Sequence, residues 1–334
     1  MKPGYRVATV SVLTAVFLVL LVHGFSSAGT ESSDSLDALK KVMKDDLKVK
    51  IKHETKLKEG TETVPPMQSD SWQFNTGVSA PMVRYTRFLN RPPHFNGKYP
   101  SLAGHDMGIG FDGGSFGNWY RGNVLRLLVN DRDIFAAAPT DLIETEEGSN
   151  GHLSFIWELE KEGRVSLNIT VPEDGHAVFA RLDLSLPGID VNSVQVRLNC
   201  YPGGYGPACK LPSHRWAFTA GQSSDVPNDF KASADNPYPV LPVTVDNDWV
   251  FYADKLQSKG SLALLLNRQE GANGVVRMSN YCQVTVLDYP VESRRIHLGF
   301  YAFDIENEAA AKLFASSLDK EREVLESIPF LPYR

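Results

Sequence analysis

Three successive segments of this chain alternate apolar and polar residues with a period of two. Residues 164–171 place apolar side chains at odd positions, residues 178–186 at even positions, and Val194, Val196 and Leu198 repeat the pattern. A period of two sends one face inward and leaves the other wet, the mark of a half-buried strand. Turn residues stand between these runs: Gly148-Ser149-Asn150-Gly151, Lys161-Glu162-Gly163, Glu173-Asp174-Gly175 and Pro187-Gly188. Strands joined by such short turns pair as antiparallel neighbours. Further strand patterns cover residues 249–253, 261–267, 275–279, 282–289 and 295–303, with Gly271-Ala272-Asn273-Gly274 as a tight connection. The pattern predicts about twelve to sixteen strands, against roughly seven to nine in a small sandwich. No linker-like break divides them. The expectation is an all-β chain, one large antiparallel β-sandwich.

Two helices are expected at the ends of this body. Residues 306–328 are rich in Ala, Glu, Lys and Leu, and Ala310, Leu313, Phe314, Leu318, Val324 and Leu325 form an apolar stripe. Asp304 is a fair N-cap and Pro329 a stop. Near the start, Leu36, Leu39, Met43 and Leu47 recur at helical spacing opposite Lys40, Lys41, Lys44 and Lys48. Residues 50–68 are charged, rich in Thr, Glu and Pro, and hold no aromatic residue, so they read as linker.

The first 28 residues have another purpose. Lys2 and Arg6 precede an apolar run over residues 7–22, and Ser26-Ser27-Ala28 supplies small residues for cleavage. The run is shorter than the ~20 residues of a spanning helix. The chain is therefore expected to be secreted or periplasmic, with cleavage after Ala28. The alternative is an uncleaved membrane anchor at residues 7–22, the only membrane contact expected. The domain plan is then residues 1–28 as signal peptide, 29–77 as helix and linker, and 78–334 as one sandwich with its C-terminal helix.

Charge and cysteine content exclude several functions. Losing Lys2 and Arg6 takes the net charge from −6 to −8. An acidic body without a basic stripe is a poor match to a phosphate backbone, so no nucleic-acid partner is expected. Neither Cys-x-x-Cys nor His-x-x-x-His spacing occurs, so no metal or cofactor is expected. Gly113-Gly114-Ser115-Phe116-Gly117 matches the letters of a nucleophile elbow, but no strand-then-helix pattern surrounds it. Cys200 and Cys209 flank a short Gly/Pro-rich loop, and an exported chain is expected to join them in a disulfide. Cys282 reads as a buried strand thiol. Asn168-Ile169-Thr170 fits a glycosylation acceptor, with Asn168 expected on a wet face.

Candidate binding residues concentrate in loops. The Gly-dense stretch 94–122 carries His105, Asp106, Asp112, Trp119, Tyr120 and Arg121. It serves either as a set of tight turns or as the rim of an aromatic pocket. The stretch 200–217 carries Tyr201, Tyr205, His214, Arg215 and Trp216. Along residues 295–303, Arg295 and His297 share a face with Gly299 and Tyr301. Sugar rings offer apolar C–H faces to aromatic rings and hydroxyls to placed polar groups. These three segments could form one carbohydrate surface. Nothing in the sequence selects a catalytic pair among the carboxylates.

The size, the meander, the strand over 295–303 and the export signal together resemble the large β-sandwich of the galactose-mutarotase-like superfamily, over roughly residues 78–303. The resemblance implies a sugar ligand and carries no catalytic residue over to this chain. Two functions remain open at this point: an exported protein that recognises or processes carbohydrate, and a non-catalytic structural or interaction protein of the cell envelope.

Overall fold

The structure is a computed structural model that describes residues 49–60, 66–76, 79–89, 107–112, 118–119, 124–147, 149–202, 213–280 and 282–331. The export segment and the helix expected within residues 36–48 lie outside the described residues. In chain order the strands are β1 (Lys50–Lys58), β2 (Met67–Asn75), β3 (Met82–Phe88), β4 (Met107–Asp112), β5 (Asn118–Trp119), β6 (Leu125–Val129), β7 (Arg132–Asp133), β8 (Asp141–Glu147), β9 (Asn150–Glu158) and β10 (Arg164–Val171). There follow β11 (Ala177–Ser185), β12 (Val194–Tyr201), β13 (His214–Phe218), β14 (Ser223–Pro227), β15 (Val240–Thr244), β16 (Trp249–Asp254), β17 (Leu262–Leu266), β18 (Asn273–Met278), β19 (Gln283–Tyr289) and β20 (Arg295–Ala302), then helix α1 (Asn307–Ser327).

The strands form two antiparallel sheets. The first runs β1-β2-β3-β4-β6-β12-β19-β18-β15, with β5 on β12 and β7 on β6. The second runs β14-β13-β16-β17-β20-β11-β10-β9-β8. Alternation explains how they stack. Val178, Ala180, Leu182 and Leu184 of β11 enter the core between the sheets, with Val194, Val196 and Leu198 of β12 opposite them in the same cluster. Phe179 points the other way, where Phe251, Leu265 and Tyr301 join Ala310, Phe314 and Leu325 of α1 in a second apolar cluster. Strands β16 and β17 are therefore buried on both faces and read as unbroken apolar runs. Each large apolar side chain fully buried in this way contributes about 1.5–3 kcal/mol. The result is an all-β sandwich with the terminal helix laid on one outer face. Helix α1 starts two residues later than the Asp304 cap implies: its N-cap is Glu306, which makes no side-chain cap bond.

Three expectations need correction. Residues 50–58 are not linker. They form β1, in register with β2 from Lys50↔Asn75 to Lys58↔Met67, and Val49 beside them is 1% exposed in the core. An edge strand keeps its charges in water, so its composition mimics that of a linker. The second correction concerns Cys200, a free and buried thiol that hydrogen-bonds Gln283 Oε1 across 3.7 Å, so the expected disulfide is not formed. Cys209 itself lies outside the described residues. The third concerns Asn168, which is 3% exposed. Its amide donates to Asp183 Oδ2 and Ser166 Oγ and accepts from Ser154 Oγ, so it offers no surface for a glycan.

Candidate functional site

Two turns meet at one end of the sandwich. In the β10–β11 turn, Gly175 has φ of +58°, and a Cβ there would lie 2.1 Å from Ser79 Oγ of the β2–β3 turn. Only glycine allows that approach. Ser79 Oγ closes the contact by donating to the Gly175 carbonyl at 2.8 Å. This contact fixes Asp174 and His176 at the mouth of a pocket of about 260 Å³.

The pocket wall is aromatic. Phe111 and Trp119 come from the first sheet, and Phe300 from the second. Phe111 and Phe300 lie 4.4 Å apart between ring centroids, and Trp119 meets Phe300 edge-on at 5.1 Å and Tyr252 edge-on at 5.7 Å. Trp119 is 2% exposed, and its indole N–H has no hydrogen-bond partner among the described residues. A buried donor in that condition costs roughly 1–3 kcal/mol. Asp304 and Tyr301 complete the polar part of the lining.

His176 is held between two carboxylates. Its Nδ1 bonds Asp174, and its Nε2 lies 3.1 Å from Glu321 Oε2 of α1. The Tyr301 hydroxyl donates to the same Glu321 oxygen at 3.1 Å. Burial alone would lower the His176 pKa, but the hydrogen bonds to Asp174 and Glu321 overcome it and raise it to about 9. The His176 hydrogen bond likewise holds Asp174 below the usual carboxylate range. Burial pushes Glu321 up, and the bonds from His176 and Tyr301 more than reverse it. At neutral pH the ring is an imidazolium with both nitrogens donating. It positions and charges the rim.

Of the candidate binding residues read from the sequence, Trp119 alone is shown lining this pocket. His105, Asp106, Tyr120, Arg121 and Tyr205 lie outside the described residues; Asp112 pairs with Met82 at the end of β4 and its side chain is not described. Tyr201 ends β12 and is 4% exposed. His214, Arg215 and Trp216 belong to strand β13, so 214 and 216 face outward and 215 inward. Arg295 and His297 lie on the outer face of β20, as the alternation predicts, but the chain end covers that face. Phe330 packs on His297 at 5.7 Å and under Arg181 at 4.8 Å, and the Leu331 carbonyl accepts from Arg181 at 3.1 Å. Arg295 and Arg181 both bond Asp183, at 2.9 and 2.7 Å. The described members of the three segments thus sit in the inter-sheet core, on the outer face of β13 and beneath residues 330–331.

Sequence reading missed His176, Asp174 and Glu321 as site residues. The turn Glu173-Asp174-Gly175 was visible, but Glu321 is 145 residues from His176, and no local pattern signals such a contact.

No protein-family model matches the chain, and no curated protein matches it. Solved structures do. The alpha-N-acetylgalactosaminidase NagBb from Bifidobacterium bifidum matches as a quadruple mutant, in its GalNAc complex and in its Gal-NHAc-DNJ complex. In each case the TM-score is 0.50 at 13% identity, over 75% of this chain and 39% of that one. The chain therefore spans well under half the length of the enzyme it matches. At this identity the likeness is one of fold: a large β-sandwich that also occurs as part of a sugar-cleaving enzyme.

Proposed function

We propose that this chain recognises a carbohydrate outside the cytoplasm, with one sugar ring seated against Phe111, Trp119 and Phe300. The observation that carries the reading is the pocket walled by Phe111, Trp119 and Phe300, in which the Trp119 N–H has no partner among the described residues. A pyranose presents a C–H face to such rings and hydroxyl oxygens to such a donor, while its hydroxyl hydrogens suit the rim carboxylates. The volume of about 260 Å³ falls near the lower end of small-molecule sites, ~300–1,000 Å³, and favours a single ring over a long chain. The resemblance to galactose-mutarotase-like sandwiches, and the sugar named in the matched enzyme's complexes, make galactose and N-acetylgalactosamine the first ligands to try.

Calorimetric titration of the mature protein with these two sugars, after a glycan-array screen, tests the reading. Trp119→Phe keeps a ring and removes the N–H. It should weaken binding at least tenfold, about 1.4 kcal/mol, while the protein stays folded. An array on which the wild-type protein retains no glycan would leave the envelope-interaction reading in its place. Export belongs to the same proposal. Sequencing the secreted protein should read Gly29 first; mature protein still carrying residues 7–22 would mean an anchor instead.

A further inference from the structure

The two sheets end side by side at β1 and β8. Each of these strands is bonded along one flank only, β1 to β2 and β8 to β9, and among the described residues no ladder joins them. They nevertheless lie at the same edge of the sandwich. Glu144 Oε2 of β8 takes the Trp72 indole N–H of β2 at 2.7 Å and lies 3.7 Å from His53 Nδ1 of β1. His53 in turn stacks on Trp72 at 4.6 Å between centroids. A Cβ on Gly151, the register partner of Glu146, would meet Val49. From Val49 to His53 the level along the edge thus runs back from residue 146 to residue 144, so β1 and β8 are antiparallel.

This edge carries two features that a finished surface would not need. The first is charge. Strand β1 reads KIKHETKLK, with Lys50, Lys52, Lys56 and Lys58 against one acid, and β8 reads DLIETEE, with four acids and no base. Lysines on an edge keep it from pairing with its own kind, and the acids of β8 do the same there. Neither deters the pairing of one with the other. The second feature is apolar. Leu57 of β1 is 73% exposed and Leu142 of β8 is 37% exposed. Leu57 shares a face with His53, and Leu142 stands opposite Phe155 of the core, so both point into the gap between the sheets at its open end.

We propose that the chain forms a two-fold dimer through this edge, β1 of each copy pairing with β8 of the other. A two-fold axis parallel to the strands exchanges the two sheets, so each copy offers its basic strand to the acidic strand of the other and both pairings form at once. Such a rotation preserves direction and level along the strands. The strands therefore meet antiparallel, and the shared level of His53 and Glu144 sets the register. Lys56 then stands opposite Asp141 and Lys50 opposite Glu147, with outward positions meeting outward positions. The other two-fold, normal to the sheets, would lay β1 on β1 and β8 on β8 and oppose like charges along both. The dimer continues each sheet across the axis and covers Leu57 and Leu142. It rests on the free edges and not on the pocket reading.

Sedimentation velocity of the mature protein tests this. Wild type should sediment as a dimer at low salt, and its association should weaken at least tenfold as salt rises to about 1 M, where the Debye length is ~3 Å. Lys50→Glu/Lys52→Glu/Lys56→Glu makes both edges acidic, and Asp141→Lys/Glu146→Lys/Glu147→Lys makes both basic. Each triple variant should be monomeric alone, and an equimolar mixture should recover the dimer. Hydrogen exchange on wild type needs no variant to fold: amides of residues 50–58 and 141–147 should exchange more slowly as protein concentration rises. A wild-type protein that stays monomeric at every concentration would overturn the proposal. So would a dimer that survives either triple variant, a mixture of folded variants that stays monomeric, or exchange in both strands that ignores concentration.

Discussion

Replacing Arg215 with alanine should destabilise the protein by about 3–5 kcal/mol, the range for breaking one side of a buried ion pair. Arg215 is fully buried between the sheets. Its guanidinium lies 3.6 Å from Asp254 Oδ2 and donates to the Pro202 carbonyl. Asp254 is 3% exposed, and its other oxygen takes the backbone N–H groups of His214, at 3.0 Å, and Leu256, at 2.9 Å. Alanine would leave that carboxylate in the core with its backbone donors but without its countercharge. At roughly 2–4 °C per kcal/mol for a large domain, the melting temperature should fall by about 6–20 °C. Arg215→Lys should recover only part of the loss, because an ammonium cannot reproduce the planar fork. Sugar binding in the fraction that remains folded should be unchanged. A variant melting within about 1 °C of wild type would refute this account of Arg215 and Asp254.

The sequence leaves two readings of Arg215 open, a ligand-facing cation and one that meets an acid and pins the chain, and the partner is Asp254. An arginine between His214 and Trp216 reads as a loop cation beside an aromatic platform. On a strand, however, residues 214 and 216 share one face and 215 takes the other. The Gly- and Pro-rich stretch before Ser213 hides the period, so the face of each residue could not be assigned. Where a strand has one wet face and tight turns at both ends, the sequence is enough: the alternation over residues 164–171 corresponds to β10, and that over 295–303 to β20. It fails at β1, whose KIKHETKLK pairs only with β2 and keeps nearly every side chain in water. The pocket shows the same division. Its glycine turn and Trp119 are visible locally. His176 acquires its role from Glu321 and Tyr301, which only the folded sandwich brings within reach.

That cluster sets the second large effect. His176→Ala should destabilise the protein by about 2–3 kcal/mol near pH 6, since it removes charge-assisted bonds to two carboxylates, one of them nearly buried. It should also change how stability depends on pH. His176 has a raised pKa in the folded state, so its contribution is complete below an unfolded value of about 6.5 and fades as pH climbs towards about 9. Asp174 and Glu321 are shifted down, so their contributions are complete above roughly pH 4.5 and fade on acidification. His297 acts in the opposite sense to His176. Burial, then the Arg181 and Arg295 charges, push its pKa down to about 4. The fold therefore keeps His297 neutral while the unfolded chain takes up a proton below about pH 6.5, so stability falls from there towards pH 4. The two histidines together place the stability maximum near pH 6.5. Denaturant titrations from pH 4 to pH 9.5 should show the alkaline decline flattened in His176→Ala and the upper part of the acid decline flattened in His297→Leu. An alkaline limb identical in wild type and His176→Ala would mean that His176 carries no proton between Asp174 and Glu321. The rim of the pocket would then have a neutral imidazole between Asp174 and Glu321.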